Sequence, residues 1–264
     1  MHPVSMENRA RLAEVMRSGE PDLAEANLLI AAEGRPGVDP ARWLAEVDRL
    51  ADIAGPDDAS AVFELLRQEG YSGDAQTYDD PRNSFLDQVI RRRRGLPIAL
   101  SALAIAIGRR TGAQIVGVAA PGHYIVAELS GGRVRYVDPF HGWVTRSVEE
   151  LAGIVGDTAG VDLEPGHLAP VSAQVTVTRM LLNLEGSYRR RSRPDDVLWC
   201  CELLALVNPE DPAPRVRMAE VLVELGRPDE AEALLGSLLT TTPPSLALRV
   251  AETVLDDIRA ARLN

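Results

Sequence analysis

Apolar and polar positions change rhythm three times along the chain. Over residues 7–70 the rhythm is helical. Leu23, Ala26, Asn27, Ile30 and Ala31 share one face, and Pro21-Asp22 stands where such a helix would begin. Pro36-Gly37 and Gly55-Pro56-Asp57 break the run, and residues 42–47 and 61–66 are amphipathic. Residues 71–83, YSGDAQTYDDPRN, read as a polar loop, and a helix is predicted over 83–92. Gly95-Leu96-Pro97 interrupts it. The next stretch, PIALSALAIAIGRR over 97–110, is apolar on nearly every side. A helix of that kind is a buried one, and Pro97 suits its first turn.

The rhythm then becomes strand-like. Gln114–Ala120, Tyr124–Leu129 and Arg133–Val137 have strand composition, and Ser130-Gly131-Gly132 is a hairpin turn signal between the last two. A central helix leading into a small antiparallel sheet predicts an α+β fold. Ser147–Val155 reads as a short helix with a serine cap, and 156–174 as a connection containing Gly and Pro.

From 175 to 261 the pattern is helical again and repeats itself. At an offset of 34 residues Leu184 meets Met218, Tyr188 meets Leu222, and Arg193-Pro194-Asp195-Asp196 meets Arg227-Pro228-Asp229-Glu230. Cys201 then meets Leu235, Leu204 meets Leu238 and Pro209 meets Pro243. That period resembles the tetratricopeptide helix–turn–helix. The expected division is a helical lobe over 1–82, an α+β core over 83–174 and two repeats over 175–264.

Composition narrows the functions. The formal charge is −11 over 264 residues and aromatic residues make up 4%, so nucleic acid is not an expected partner. No run reaches the ~18 apolar residues a membrane helix requires, and residues 1–20 lack the apolar stretch of a secretory signal. A cytoplasmic protein without membrane attachment is the expectation. All 28 basic residues are arginine, which excludes Schiff-base lysine chemistry and a complete P-loop. The only cysteines, Cys200 and Cys201, adjoin in a repeat helix, where they read as core rather than as a disulfide or zinc site. His2 is terminal, leaving His123, His141 and His167 for histidine chemistry.

The chemistry-bearing residues lie in the middle block. Arg94-Gly95-Leu96-Pro97 opens the buried helix, Pro121-Gly122-His123-Tyr124 precedes a strand, and Val137-Asp138-Pro139-Phe140 ends one. A helix, a strand carrying His and a strand ending in Asp-Pro resemble the core of the transglutaminase-like, papain-related superfamily. The resemblance implies a cysteine nucleophile at the start of the helix, His123 as its base and Asp138 as the acid that orients the base. The cysteine position falls on Pro97, which has no nucleophilic atom. Ser101, one turn along, is the nearest hydroxyl. Its alternative role is a hydrogen bond inside a buried helix.

More of the chain resembles the SirB-type group of that superfamily, in which a cysteine-less core is followed by tetratricopeptide-like helices. The matching stretches include residues 22–31, Tyr78–Ser84, Arg93–Ser101, Pro121–Tyr124 and Asp138–Phe140. Tyr124 departs from a more usual phenylalanine, and His141 displaces the expected glycine to Gly142-Trp143. Asn83 lies in one of these motifs. It either faces the cleft or caps the helix that follows.

No cofactor is expected. His123, Asp138 and His141 have the residue types of a two-histidine, one-carboxylate metal site. His141 at a loop tip reads instead as solvent-exposed, so no metal site is expected. Arg91–Arg94 either takes an anion or pairs with nearby acids, with Asp79, Asp80, Asp87 and Glu128 as candidates. Two functions follow. One is a binding or regulatory protein, with a protein or peptide on the repeats or a small molecule in the core cleft. The other is a cysteine-independent enzyme built on His123 and Asp138, performing hydrolysis, acyl transfer or proton abstraction.

Overall fold

Four helices open the chain: α1 (Pro3–Arg17), α2 (Leu23–Gly34), α3 (Pro40–Ala54) and α4 (Ala59–Gln68). Aspartates start three of them. Asp22, Asp39 and Asp58 sit in extended backbone and accept amide hydrogen bonds from the first turn. This satisfies N–H groups that have no partner inside a helix. The computed structural model describes residues 3–243 and 245–261, so His2 lies outside the described residues.

The expected helix over 83–92 begins later. Asp80 accepts from the Arg82 amide and closes Pro81–Asn83 into a 3-10 turn, and α5 runs over Leu86–Arg92. α6 (Pro97–Thr111) is buried from Pro97 to Ala104 and again over Ala106–Gly108, as its uninterrupted apolar sequence requires. Leu96 precedes it in extended backbone, the conformation a following proline imposes. Two short strands flank α5. β1 (Ser72–Gly73) pairs in parallel with β2 (Arg94–Gly95).

The main sheet has the order β6-β5-β4-β3-β7, with every pair antiparallel. Its strands are β3 (Ile115–Val118), β4 (Ile125–Ser130), β5 (Arg133–Asp138), β6 (Val144–Arg146) and β7 (Pro170–Val171). The outer two span three and two residues, too short to show a period in sequence. α7 (Val148–Ala159) starts at Ser147, whose hydroxyl accepts from the Glu150 amide while the Glu150 carboxylate accepts from the Ser147 amide. α7 packs its Leu151 against Val118, Ile125 and Ala127 of the sheet.

α8 (Ala173–Arg190) follows, and the Tyr124 hydroxyl shares a 2.7 Å hydrogen bond with Thr176 on it. That bond gives the tyrosine a role a phenylalanine could not fill. A Cβ at position 117 would land on the same hydroxyl, so glycine is required there.

The chain divides into two compact units, one up to Met180 and one from Leu181 on. The second unit contains α9 (Pro194–Val207), α10 (Ala213–Glu224), α11 (Pro228–Thr241) and α12 (Leu246–Ala261). Its repeat extends to the backbone. Arg193 and Arg227 precede α9 and α11 with φ of −112° and −114°. The residues before them, Ser192 and Gly226, are both left-handed, at φ 51° and 71°. Arg193 N–H and Arg227 N–H donate to Tyr188 and Leu222, the pair aligned by the 34-residue offset. The fold is α+β, with twelve α-helices among the described residues, a small antiparallel sheet and a repeat-like C-terminal region. None of these helices is long and apolar enough to cross a membrane.

Candidate functional site

Asp138 ends β5 and is fully buried. The turn after it is built around its carboxylate. Oδ1 accepts from the Phe140 and His141 amides at 3.1 and 3.2 Å. Trp143 N–H returns to the Asp138 carbonyl at 2.8 Å from a left-handed residue at φ 64°. The Trp143 indole is buried, donates to the Tyr71 carbonyl at 2.9 Å and stacks on Phe63. A turn clamped at both ends leaves Oδ2 facing the site.

His123 reaches the same place from the turn that leads into the neighbouring strand β4. It follows Gly122, whose φ of +69° and close approach to Thr158 disfavour any side chain. His123 N–H bonds the Ala120 carbonyl, and the ring is 7% exposed. Its Nε2 lies 3.1 Å from Asp138 Oδ2. With Nε2–H donating to the carboxylate, the Nδ1 lone pair is left as the basic position, and Nδ1 has no hydrogen-bond partner among the described residues.

Two further groups gather on Oδ2. His141 Nδ1 is 2.7 Å away although its side chain is half exposed. The loop-tip histidine is exposed, as the sequence leads one to expect, while its Nδ1 turns to the carboxylate. Arg146 Nε on β6 is 3.5 Å away, buried and without hydrogen-bond geometry. Burial opposes the Asp138 charge, but the hydrogen bonds and charges of His123 and His141 prevail and hold the carboxyl well below the usual range.

The start of α6 adjoins this turn through β1. Gly73 N–H donates to the Phe140 carbonyl at 2.9 Å, and the Phe140 ring fills the space a Cβ at Gly73 would need. Gly73 pairs with Gly95, two residues before Pro97. Pro97 is thus the first residue of α6, two positions after the Gly95 that pairs with Gly73.

The other expected residues have different surroundings. Ser101 is fully buried and its hydroxyl has no hydrogen-bond partner among the described residues. Asn83 does not cap α5, which starts at Phe85 without a side-chain cap. Its amide donates to the Thr77 carbonyl at 2.6 Å, and its oxygen accepts from Arg92, which also reaches Asp74 at 2.9 Å. Asn83 ties the 74–78 loop to α5. The arginine run pairs locally, but with other acids than those nearest in sequence. Arg92 meets Asp74, Arg93 meets Glu69, and Arg94 donates to backbone carbonyls. Cys200 and Cys201 are free and buried in α9, where burial pushes both thiols up.

The sequence reading missed Arg146 and Trp143. Arg146 gives no signal, because β6 is too short to predict. Trp143 gave a faint one, as a large aromatic after a turn glycine.

The match to known proteins follows this geometry. Residues 42–182 match the model of the transglutaminase-like superfamily, and residues 202–252 match a tetratricopeptide repeat. The chain belongs to the transglutaminase-like superfamily. A UPF0162 protein of Vibrio cholerae is 34% identical over 155 residues, covering 58% of this chain and 57% of its own. Over that match the chain spans little more than half of the relative's length. A UPF0162 protein of Pseudomonas aeruginosa is 27% identical over 260 residues, 94% of this chain and 95% of its own. Among solved structures, menin aligns with 95% of this chain and 74% of its own at 10% identity, with a TM-score of 0.43.

Proposed function

We propose that this transglutaminase-like protein, of the SirB-type kind, does no cysteine chemistry and serves as a cytoplasmic binding or regulatory protein. The observation that carries the reading is Pro97 at the first turn of α6 in a chain that keeps the His123–Asp138 pair. A side chain with no nucleophilic atom stands where the superfamily's attacking group belongs. The buried, hydrogen-bonded His123 agrees with a pair that braces the ends of β4 and β5. The repeat helices supply a surface of the kind that takes a protein or peptide. In this reading the helical lobe over 1–82 and the core over 83–174 form the frame, and the repeats from 175 are the recognition element.

One observation favours a second reading, a cysteine-independent enzyme. Asp138 fixes the His123 tautomer that leaves Nδ1 basic, which suits proton abstraction. Ser101 and Asn83 add little to it, the first buried away from solvent and the second committed to loop carbonyls. A thermal-shift and mass-spectrometric screen of wild type against His123→Ala, with cell metabolites and peptides, tests both. The binding role expects a ligand or peptide that stabilises both forms and is recovered unchanged. A compound that stabilises only wild type and is chemically altered overturns it in favour of the enzyme.

A further inference from the structure

We propose that His123, Asp138 and His141 hold a divalent first-row transition-metal ion of the zinc class. The inference goes beyond the binding role above and rests on the geometry of one carboxylate oxygen. Two imidazole nitrogens from different segments converge on Asp138 Oδ2, at 3.1 Å from His123 and 2.7 Å from His141. The three ligand atoms all lie within 4.8 Å of one another. At a tetrahedral ion with bonds of ~2.0–2.1 Å, neighbouring ligand atoms stand about 3.3 Å apart. The two imidazoles must draw back slightly from Oδ2, His141 the further, for one ion to replace the two protons now shared with it.

The surroundings are those of a ligand set rather than of an ordinary ion pair. Asp138 Oδ1 is held by two backbone amides, which orients the carboxylate and leaves Oδ2 to bond outward. Asp138 is fully buried, whereas His141 is 51% exposed. An ion can therefore enter on the His141 side, and solvent can complete its coordination. Two imidazoles and one carboxylate suit zinc, cobalt or nickel better than magnesium or calcium, which favour all-oxygen sites.

Arg146 sets the strength of the site. Its guanidinium is 3.5 Å from Oδ2 without making a hydrogen bond, and its charge opposes a second cation there. Its Nη1 also lies 3.5 Å from Glu150, the acid it keeps when an ion takes Oδ2. The site is accordingly an exchangeable one, weaker than a closed structural zinc centre.

The test uses the full chain, stripped with a chelator, with Zn2+ measured by equilibrium dialysis and Co2+ by its visible absorption. One ion per chain is expected. His141→Ala removes a half-exposed ligand without disturbing the core and should weaken binding at least ~10-fold. His123→Ala should do the same, while Arg146→Met should tighten binding. A His2→Ala/His167→Ala double variant should bind as wild type. Absence of saturable binding overturns the proposal, as does undiminished binding by His141→Ala or a cobalt–thiolate band assigning the ion to the cysteines. No partner is present in the assay, so ion binding and the binding role can each fail without the other.

Discussion

At the scale of single residues, the site is framed by side chains that work as fasteners. Asp74 is the clearest. Burial opposes its charge, but hydrogen bonds from Thr77, Arg92 and Asn83 prevail and bring its pKa down to about 2. A carboxyl depressed in the folded state contributes stability that is complete above its unfolded value of about 4. That stability is lost as pH falls from there toward 2. The contribution is on the order of 2 kcal/mol. Asp74→Asn should forfeit it at neutral pH and flatten the acid limb below pH ~4. Urea unfolding at a series of pH values checks this; parallel acid limbs in both proteins would remove Asp74 from the account. Its partners Arg92 and Asn83 were visible in the sequence as an arginine run and a motif asparagine. Their pairing was not, because Arg92 and Asp74 are 18 positions apart.

At the scale of elements, the repeat gives the sharpest comparison. Ser192 and Gly226 occupy equivalent left-handed positions before α9 and α11. Glycine takes that conformation without a Cβ penalty, whereas serine is strained there. Ser192→Gly should therefore stabilise the second unit, by up to about 1 kcal/mol, and Gly226→Ala should destabilise it by a similar amount. Chemical denaturation of the two variants decides it. Shifts of the same sign would show that the turns are not equivalent. The helices themselves were legible because their signals are local: Pro97 and Ser147 at N-termini, and an apolar run where α6 is buried. β6 and β7 were not, since strands of three and two residues exist only through their neighbours.

At the scale of the whole molecule, both units bear on the proposal that the protein does no cysteine chemistry. In the first, Pro97 stands at the start of α6. In the second, Cys200 and Cys201 are fully buried, and burial pushes the Cys201 thiol up to about 12. Neither thiol is ionised near pH 7, and the thiolate is the reactive form. Both should stay silent to a thiol reagent in the native protein and react together when the second unit unfolds. Stoichiometric labelling of the folded chain at neutral pH would reopen a role for them.

The sequence alone determined the helices and the longer strands. Helix periodicity, a 34-residue repeat and a proline in the first turn of the buried helix are all written in short stretches of chain. It also marked His123 and Asp138, through the resemblance of their motifs to the transglutaminase-like core. Tertiary structure alone decided what gathers on Asp138. His141 Nδ1 turns to the carboxylate because Trp143, two residues on, is anchored to Tyr71 across 72 positions of sequence. Arg146 arrives on a strand that pairing with β5 creates. Hydrophobic periodicity specifies which face of an element is buried. Which charged groups then meet on one carboxylate oxygen depends on how distant segments pack.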